Sequence, residues 1–208
     1  MISSYRLGDL VLLNLNNAEK CELLRDFPNS IGSKYILEKT RGSPHSNIDI
    51  ITKIVLECIK EKSDCLPKDI ADSTLIHLRL GDVVAGNETH EKGKRPLEIQ
   101  HIKSLLVDDV NQKKYVIGKC FFAKPSSKNY RECIHLSNAY LQTVINELHA
   151  EHFDSGDADT DLCCAVQSKT FVQGRGYFSK LIVDIRKKLN LHTIETETEI
   201  YLSRTTHK

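Results

Sequence analysis

Short apolar runs alternate with amphipathic helical stripes along most of this chain, and this order constrains its fold more than any other feature. The strand-like runs cover residues 9–14, 73–78, 114–118 and 170–172. The stripes repeat every 3.6 residues and cover residues 47–62, 97–106, 136–148 and 178–189. Alternating strands and helices predict an α/β fold with a mostly parallel sheet.

The length of the chain and a break in this pattern indicate two unequal parts. The 208 residues suit one large domain or two small ones. Pro67 and its polar neighbours interrupt the alternation between residues 65 and 72. We therefore predict a small N-terminal lobe, residues 1–70, and a larger C-terminal lobe of nucleotide-binding type, residues 71–208.

Charge and composition exclude several classes of partner. The net charge is +1, from 29 basic and 28 acidic residues, so no long-range field attracts nucleic acid or an anionic membrane. No run of about 18 apolar residues, the length that a membrane span requires, occurs in the sequence. The seven cysteines form no C-x-x-C pair, which favours free thiols in a reducing compartment. Because the first residues do not resemble a signal peptide, a cytoplasmic location is expected.

The first candidate site follows the strand-like run at residues 73–78. Arg79 offers a planar fork of donors that suits a diphosphate, and ligands of open α/β sheets bind at the carboxyl ends of strands. His77 lies two residues earlier and so shares a strand face with Arg79. Asp82 is placed to orient the arginine or to accept a proton. The alternative interpretation is a strand-to-loop corner with a surface arginine.

The second candidate site is a glycine-containing loop between a strand and a helix, an arrangement that often binds anions. Gly174 and Gly176 permit close approach of the backbone, and Ser179 can donate its hydroxyl to a phosphate. Tyr177 or Phe178 can stack on a base. The alternative is a glycine turn capped by Ser179, with Phe178 in the core. We assign the whole loop to ligand binding: Gly174, Arg175, Gly176, Tyr177, Phe178 and Ser179.

Four aspartates lie in a polar stretch, residues 154–161, that is predicted to be an acidic turn, and the last three of them, Asp157, Asp159 and Asp161, are candidate site residues. One interpretation is that Asp161 accepts hydrogen bonds from the base of a nucleotide. A second is that Asp157 and Asp159 bind Mg²⁺ or Mn²⁺ and hold a diphosphate through the metal. A third is a solvated turn, with Asp161 near a helix start where a negative charge is favourable.

Lys119 is a further candidate cation. It follows the strand-like run at residues 114–118 and comes directly after Gly118. This position permits the lysine to reach a phosphate, and a surface lysine without a ligand is the alternative.

Two of these motifs, in this order, resemble the fucosyltransferase superfamily, which includes the α1,2- and α1,6-fucosyltransferases and the protein O-fucosyltransferases. The segment His77-Leu-Arg79-Leu-Gly-Asp82 is similar to the H-x-R-x-G/T-D motif of that group. Residues 155–182 resemble its closing segment, which runs from an acidic base-binding turn to a loop that holds the diphosphate. The resemblance covers residues 73–189.

The resemblance implies a GT-B-type fold of two Rossmann-like lobes, in which residues 1–70 form a reduced, acceptor-side lobe. It implies inverting transfer of fucose from GDP-fucose to a hydroxyl of a glycan or protein, with no metal and no cofactor. By the same resemblance, Arg79 binds the β-phosphate and stabilises its departure, and His77 lines the nucleotide site. Asp161 contacts the base, while Phe178 and Ser179 contact nucleotide and phosphate.

Two questions stay open at this point. Asp82 or Glu88 is the candidate general base for the acceptor hydroxyl. Alternative functions are a non-catalytic nucleotide- or glycan-binding module and a transferase that uses another donor, such as UDP-xylose or a rhamnose donor.

Overall fold

The structure is a computed structural model that describes residues 17–81, 83–84, 96–107, 111–121 and 130–196. The α-helices in these ranges are α1 (Asn17–Asp26), α2 (Ile31–Thr40), α3 (Asn47–Glu61), α4 (Ile99–Leu105), α5 (Tyr130–Leu148), α6 (Ala158–Gln167) and α7 (Tyr177–Lys188). Asp82, Glu88 and the strand-like run at residues 9–14 lie outside the described residues. In the described part of the chain, no helix is both long and apolar enough to cross a bilayer.

The strands form a parallel sheet, which confirms the predicted α/β class. They are β1 (Thr74–His77), β2 (Leu80–Gly81), β3 (Lys114–Ile117), β4 (Cys120–Phe121), β5 (Glu151–His152), β6 (Thr170–Val172) and β7 (Thr193–Ile194). Five of them form one sheet in the order β5-β3-β1-β6-β7, and every neighbouring pair is parallel. The short parallel pair of β2 and β4 continues the β1–β3 pairing after a break.

The central strands are apolar on both faces because helices cover the sheet on both sides. Leu75 and its register partners Tyr115 and Phe171 pack with α1, α2, α3, α6 and α7. Ile76 and its partner Val172 point the opposite way and pack with α4 and α5. We call these two sides the Leu75 face and the Ile76 face.

The connections change sides at the centre of the sheet. The chain passes from β1 to β3 and from β3 to β5 through α4 and α5, on the Ile76 face. It returns from β5 to β6 through α6 and passes on to β7 through α7, on the Leu75 face. The adjacent strands β1 and β6 therefore send their connections to opposite faces. Ligands of open α/β sheets bind at the carboxyl ends of strands at such a switch point.

Helices α1–α3, from the predicted N-terminal lobe, pack in the same core as α6 and α7. Two polar contacts join the parts: the amide of Ile31 donates to Asp159 Oδ2 at 2.9 Å, and Lys62 Nζ lies 2.8 Å from Asp157 Oδ2. The boundary at residue 70 stays a prediction.

The predicted acidic turn at residues 154–161 is wrong in its second half, because α6 begins at Ala158. Asp157 causes this start: its carboxylate accepts from the amides of Asp159 and Thr160, each at 3.2 Å, which are donors that the first turn of a helix leaves without partners.

Candidate functional site

The two predicted phosphate-binding segments meet in space. Arg79 follows β1 and the glycine loop follows β6, so both flank the switch point. A Cβ added to Gly176 would lie 2.8 Å from Nη1 of Arg79, which places the guanidinium directly against this glycine. Gly176 has φ of 98° and ψ of 173°, a conformation that is essentially restricted to glycine. The site therefore requires Gly176 both for its backbone and for the space that Arg79 occupies.

Gly174 fits the loop against the end of β1. A Cβ at this position would lie 2.2 Å from the carbonyl oxygen of His77 and 2.3 Å from its Nδ1. No side chain fits in such a gap, so a larger residue would push the loop away from β1. The sequence predicted a close backbone approach here, and the structure identifies His77 as the group that Gly174 approaches.

The amino terminus of α7 faces the same region. Gly176 is its N-cap, and among the residues described no side chain caps this helix end. The first-turn amides of a helix have no partner within the helix, and their dipoles favour an anion. The terminus of α6, by contrast, is capped by Asp157. Of the two helices that begin at this edge of the sheet on the Leu75 face, α7 is therefore the one suited to bind a phosphate.

The remaining loop residues differ in accessibility. Tyr177 is exposed and Phe178 is half-buried, with its ring centroid 5.5 Å from that of His77. Ser179 is fully buried, and its Oγ has no hydrogen-bond partner in the described part of the structure. Its contact with a phosphate stays a prediction that requires the loop to move. Arg175 is half-buried, and its charge acts on the hydroxyl of Tyr140 in α5.

His77 is neutral at pH 7. Burial, and secondarily the charge of Arg79, lowers the pKa of its imidazole to about 4. The Nδ1 atom is buried without a hydrogen-bond partner among the described residues. A neutral imidazole adds no positive charge, so Arg79 supplies the cation of this pair.

Asp161 lies in the first turn of α6, with a side chain that is almost fully buried. Its Oδ1 accepts a hydrogen bond of 2.6 Å from the hydroxyl of Ser155. Burial raises the pKa of this carboxyl, although the bond from Ser155 and the charge of Lys119 oppose the change. The other oxygen, Oδ2, accepts no hydrogen bond from the residues that the structure describes. A buried carboxylate with one oxygen available in this way is suited to the N–H groups of a base.

Asp157 and Asp159, the alternative metal ligands, both make structural contacts. Asp157 caps α6, pairs with Lys62, and accepts a hydrogen bond of 2.7 Å from the hydroxyl of Thr160. Asp159 accepts from the amide of Ile31 at the start of α2. No cluster of three metal-ligating side chains occurs in the described ranges.

Sequence reasoning missed a set of hydrogen bonds that fixes Gln173, the residue directly before the glycine loop. The amide of Gln173 donates to Ile194 in β7, and its side-chain oxygen accepts from the amide of Thr196 at 3.2 Å. The hydroxyl of Thr196 donates to the carbonyl of Gln173 at 2.9 Å. No local pattern indicates this contact, because its partners come from separate elements.

No protein-family model matches the chain, and no curated protein matches it either. It is similar to crystal structures of POFUT1. For one in complex with GDP, the identity is 14%, the TM-score is 0.43, and the match covers 74% of this chain and 50% of that chain. For one in complex with GDP-fucose, the identity is 17%, the TM-score is 0.38, and the coverage is 88% and 59%. The chain thus spans about half the length of the first of these.

TM-scores this low do not establish a common fold, so the α/β assignment stands on the strand order described above. The arrangement at the switch point is a cation, a glycine loop and an uncapped helix terminus at one edge of the sheet. Such an arrangement can bind a phosphate or diphosphate. Asp161 lies at the same edge, at the start of α6.

Proposed function

We propose that this chain is a glycosyltransferase of the inverting, metal-independent kind, which transfers fucose from GDP-fucose to a hydroxyl of a glycan or protein. The observation that carries the proposal is the contact of the Arg79 guanidinium with Gly176, at the start of α7 and at the switch point between β1 and β6. The choice of donor rests on the resemblance of the two motifs to the fucosyltransferase superfamily.

The chemistry explains why a cation and a helix terminus would be needed together. As the bond to the sugar breaks, negative charge grows on the oxygens of the leaving diphosphate. Donors that are fixed before the reaction stabilise this charge more than they stabilise the bound substrate, and therefore accelerate the step. Arg79 and the first-turn amides of α7 would act in this way. Asp161 would receive the N–H groups of the base at the other end of the nucleotide.

The test is a comparison of Arg79→Ala with Arg41→Ala, which removes an exposed arginine at the end of α2. The assay follows hydrolysis of GDP-fucose without acceptor, at saturating donor, with UDP-xylose in parallel. Loss of one such charged donor is expected to lower the rate about 10²- to 10³-fold. Arg41→Ala should leave the rate unchanged. A folded Arg79→Ala protein that keeps the full rate would refute the proposal.

Two further measurements separate the alternatives. A binding module without catalysis would bind GDP-fucose, which raises its melting temperature, and would release no fucose. A transferase that depends on Asp157 or Asp159 for a metal would lose its activity in EDTA. We expect slow release of fucose that is unchanged by EDTA.

A further inference from the structure

Lys119 lies beside Arg79 at the carboxyl edge of the sheet. β1 and β3 are paired through His77 and Ile117, and the same offset continues between β2 and β4. Arg79 and Lys119 are therefore opposite each other in the break between the two pairings. Register partners of a parallel pair point to the same face, and here it is the Leu75 face, where α6 and α7 begin.

A close strand contact holds Lys119 in this position. A Cβ added to Gly118 would lie 2.4 Å from the carbonyl oxygen of Leu78, so only glycine permits the two chains to approach so closely. Gly118, directly before Lys119, is thus held against Leu78, directly before Arg79.

The present partner of Lys119 is weakly bound. Its Nζ lies 3.6 Å from Oδ1 of Asp154, and both side chains are about half exposed. Exposed pairs of this kind contribute about 0–1 kcal/mol. Asp154 Oδ1 also accepts from the amide of Gly156 at 3.2 Å, so it keeps a donor if the lysine leaves. A ligand phosphate can therefore replace Asp154 at little cost.

Lys119 also lies close enough to Asp161 for its charge to act on that carboxyl, together with the charges of Asp154 and Asp157. Lys119 thus lies between two residues of the proposed site: Arg79 on one strand and Asp161, on the base side, at the start of α6. A nucleotide bound with its base at Asp161 and its outer phosphate at Arg79 would bring the phosphate nearest its nucleoside to this lysine.

We propose that Lys119 is a second cation of the nucleotide site, which leaves Asp154 and pairs with the nucleoside-proximal phosphate when a nucleoside diphosphate binds. This inference rests on the proposed function, and it adds a residue that neither motif contains. Arg79 and Lys119 then divide the diphosphate between them: Arg79 pairs with the outer phosphate and Lys119 with the inner one.

The test measures the dissociation constants of GDP and GMP by calorimetry for the full chain and four variants. Lys119→Gln removes the proposed cation. Lys187→Gln is the matched control, because Lys187 is likewise an exposed lysine that pairs with a carboxylate, that of Glu195. Arg79→Ala reports on the outer phosphate. Asp154→Asn removes the competing carboxylate.

Lys119→Gln should weaken the binding of GDP and of GMP by a similar factor, about 5- to 10-fold. This factor lies between the values for an exposed ion pair and for a buried hydrogen bond to a charged group, because the side chain of Lys119 is about half exposed. Arg79→Ala should weaken the binding of GDP far more than that of GMP. Asp154→Asn should tighten the binding of both nucleotides, and Lys187→Gln should change the affinity for neither.

The inference fails if Lys119→Gln binds both nucleotides as tightly as Lys187→Gln does, while Arg79→Ala still weakens GDP. That outcome leaves the proposed function intact. If the unmodified chain binds neither GDP nor GMP, and neither UDP nor UMP, the proposed function and this inference fail together. Weakening by Lys119→Gln that is confined to GDP would also contradict the assignment to the inner phosphate.

Discussion

Gly176→Ala offers a sharp test of the site, because one added methyl group meets the guanidinium on which the proposed function depends. The new Cβ would lie 2.8 Å from Arg79 Nη1. Unstrained contacts between such atoms need about 3.5 Å or more, so the guanidinium has to move by roughly 1 Å. A displacement of that size breaks a hydrogen bond to a fixed phosphate oxygen.

The expected loss of affinity follows from the strength of that bond. A hydrogen bond to a charged group contributes about 1.5–3 kcal/mol, and its loss corresponds to a roughly 10- to 150-fold larger dissociation constant for GDP. The stability of the fold should fall as well, by about 1–3 kcal/mol, because alanine rarely adopts the backbone conformation of Gly176.

Gly42→Ala separates the two effects. Gly42 also has a positive φ, of 75°, but nothing lies within 4 Å of an added Cβ. We expect Gly42→Ala to lose about 1–2 kcal/mol of unfolding free energy from backbone strain and to bind GDP normally. Urea titration measures the stability, and calorimetry with GDP measures the affinity at a temperature where both variants are folded.

A double-mutant cycle tests whether the loss of GDP affinity in Gly176→Ala results from displacement of Arg79. In an Arg79→Ala background, Gly176→Ala should cause little further loss of affinity, because the group that it displaces is absent. The reasoning is refuted if Gly176→Ala weakens GDP equally in both backgrounds, or if it binds GDP as well as Gly42→Ala does.

Two further variants test a buried charge each. Burial raises the pKa of Asp161, so its ionisation costs stability as the pH rises through the folded pKa. Asp161→Asn should therefore be as stable as the unmodified chain below about pH 4, where the carboxyl is protonated, and more stable once the pH exceeds the folded pKa, which thermal melts at several pH values check. Arg186→Met should lower the unfolding free energy in urea by about 3–5 kcal/mol, because fully buried Arg186 donates to several backbone carbonyls, among them Ala165 at 2.7 Å and Ser168 at 2.8 Å. Lys187→Met, on the exposed next position, should have little effect.

The elements that the sequence predicted best are those with a strong local period. The strands at residues 74–77, 114–117 and 170–172, and the helices α3, α5 and α7, occur where the apolar pattern indicated them. Periodicity succeeds here because burial of one stripe or of a short apolar run is decided within each segment.

Other elements have too weak a local sequence pattern to be predicted. β5 and β7 contain two residues each, and they are strands only because β3 and β6 lie beside them. Helix α2 begins directly after a Pro-Asn-Ser segment, where the side chain of Ser30 caps it. α6 includes the second half of the predicted acidic turn, because Asp157 accepts hydrogen bonds from the amides of its first turn, and aspartates in a polar stretch indicate a loop equally well.

Some features of the candidate site could likewise be predicted from the sequence, and others could not. A strand-end arginine and a glycine loop before a helix are local patterns, and both were visible in the sequence. The partners of the acidic residues were not. Asp159 contacts the amide of Ile31, and Asp157 pairs with Lys62, through chain separations that no spacing rule covers. The place of Lys119 opposite Arg79 depends likewise on the register of β1 and β3.

By itself, the sequence determined that strands and helices alternate, that a cation follows one strand, and that a glycine loop precedes the last long helix. The tertiary structure alone decided the strand order β5-β3-β1-β6-β7, which brings β6 next to β1 although more than 90 residues separate them along the chain. The physical reason is that apolar strands with helices on both faces can be arranged side by side in several orders, all of which are compatible with the same local hydrophobic pattern of the sequence. Only tertiary packing, such as the close approach of the Gly174 backbone to His77, selects one of them.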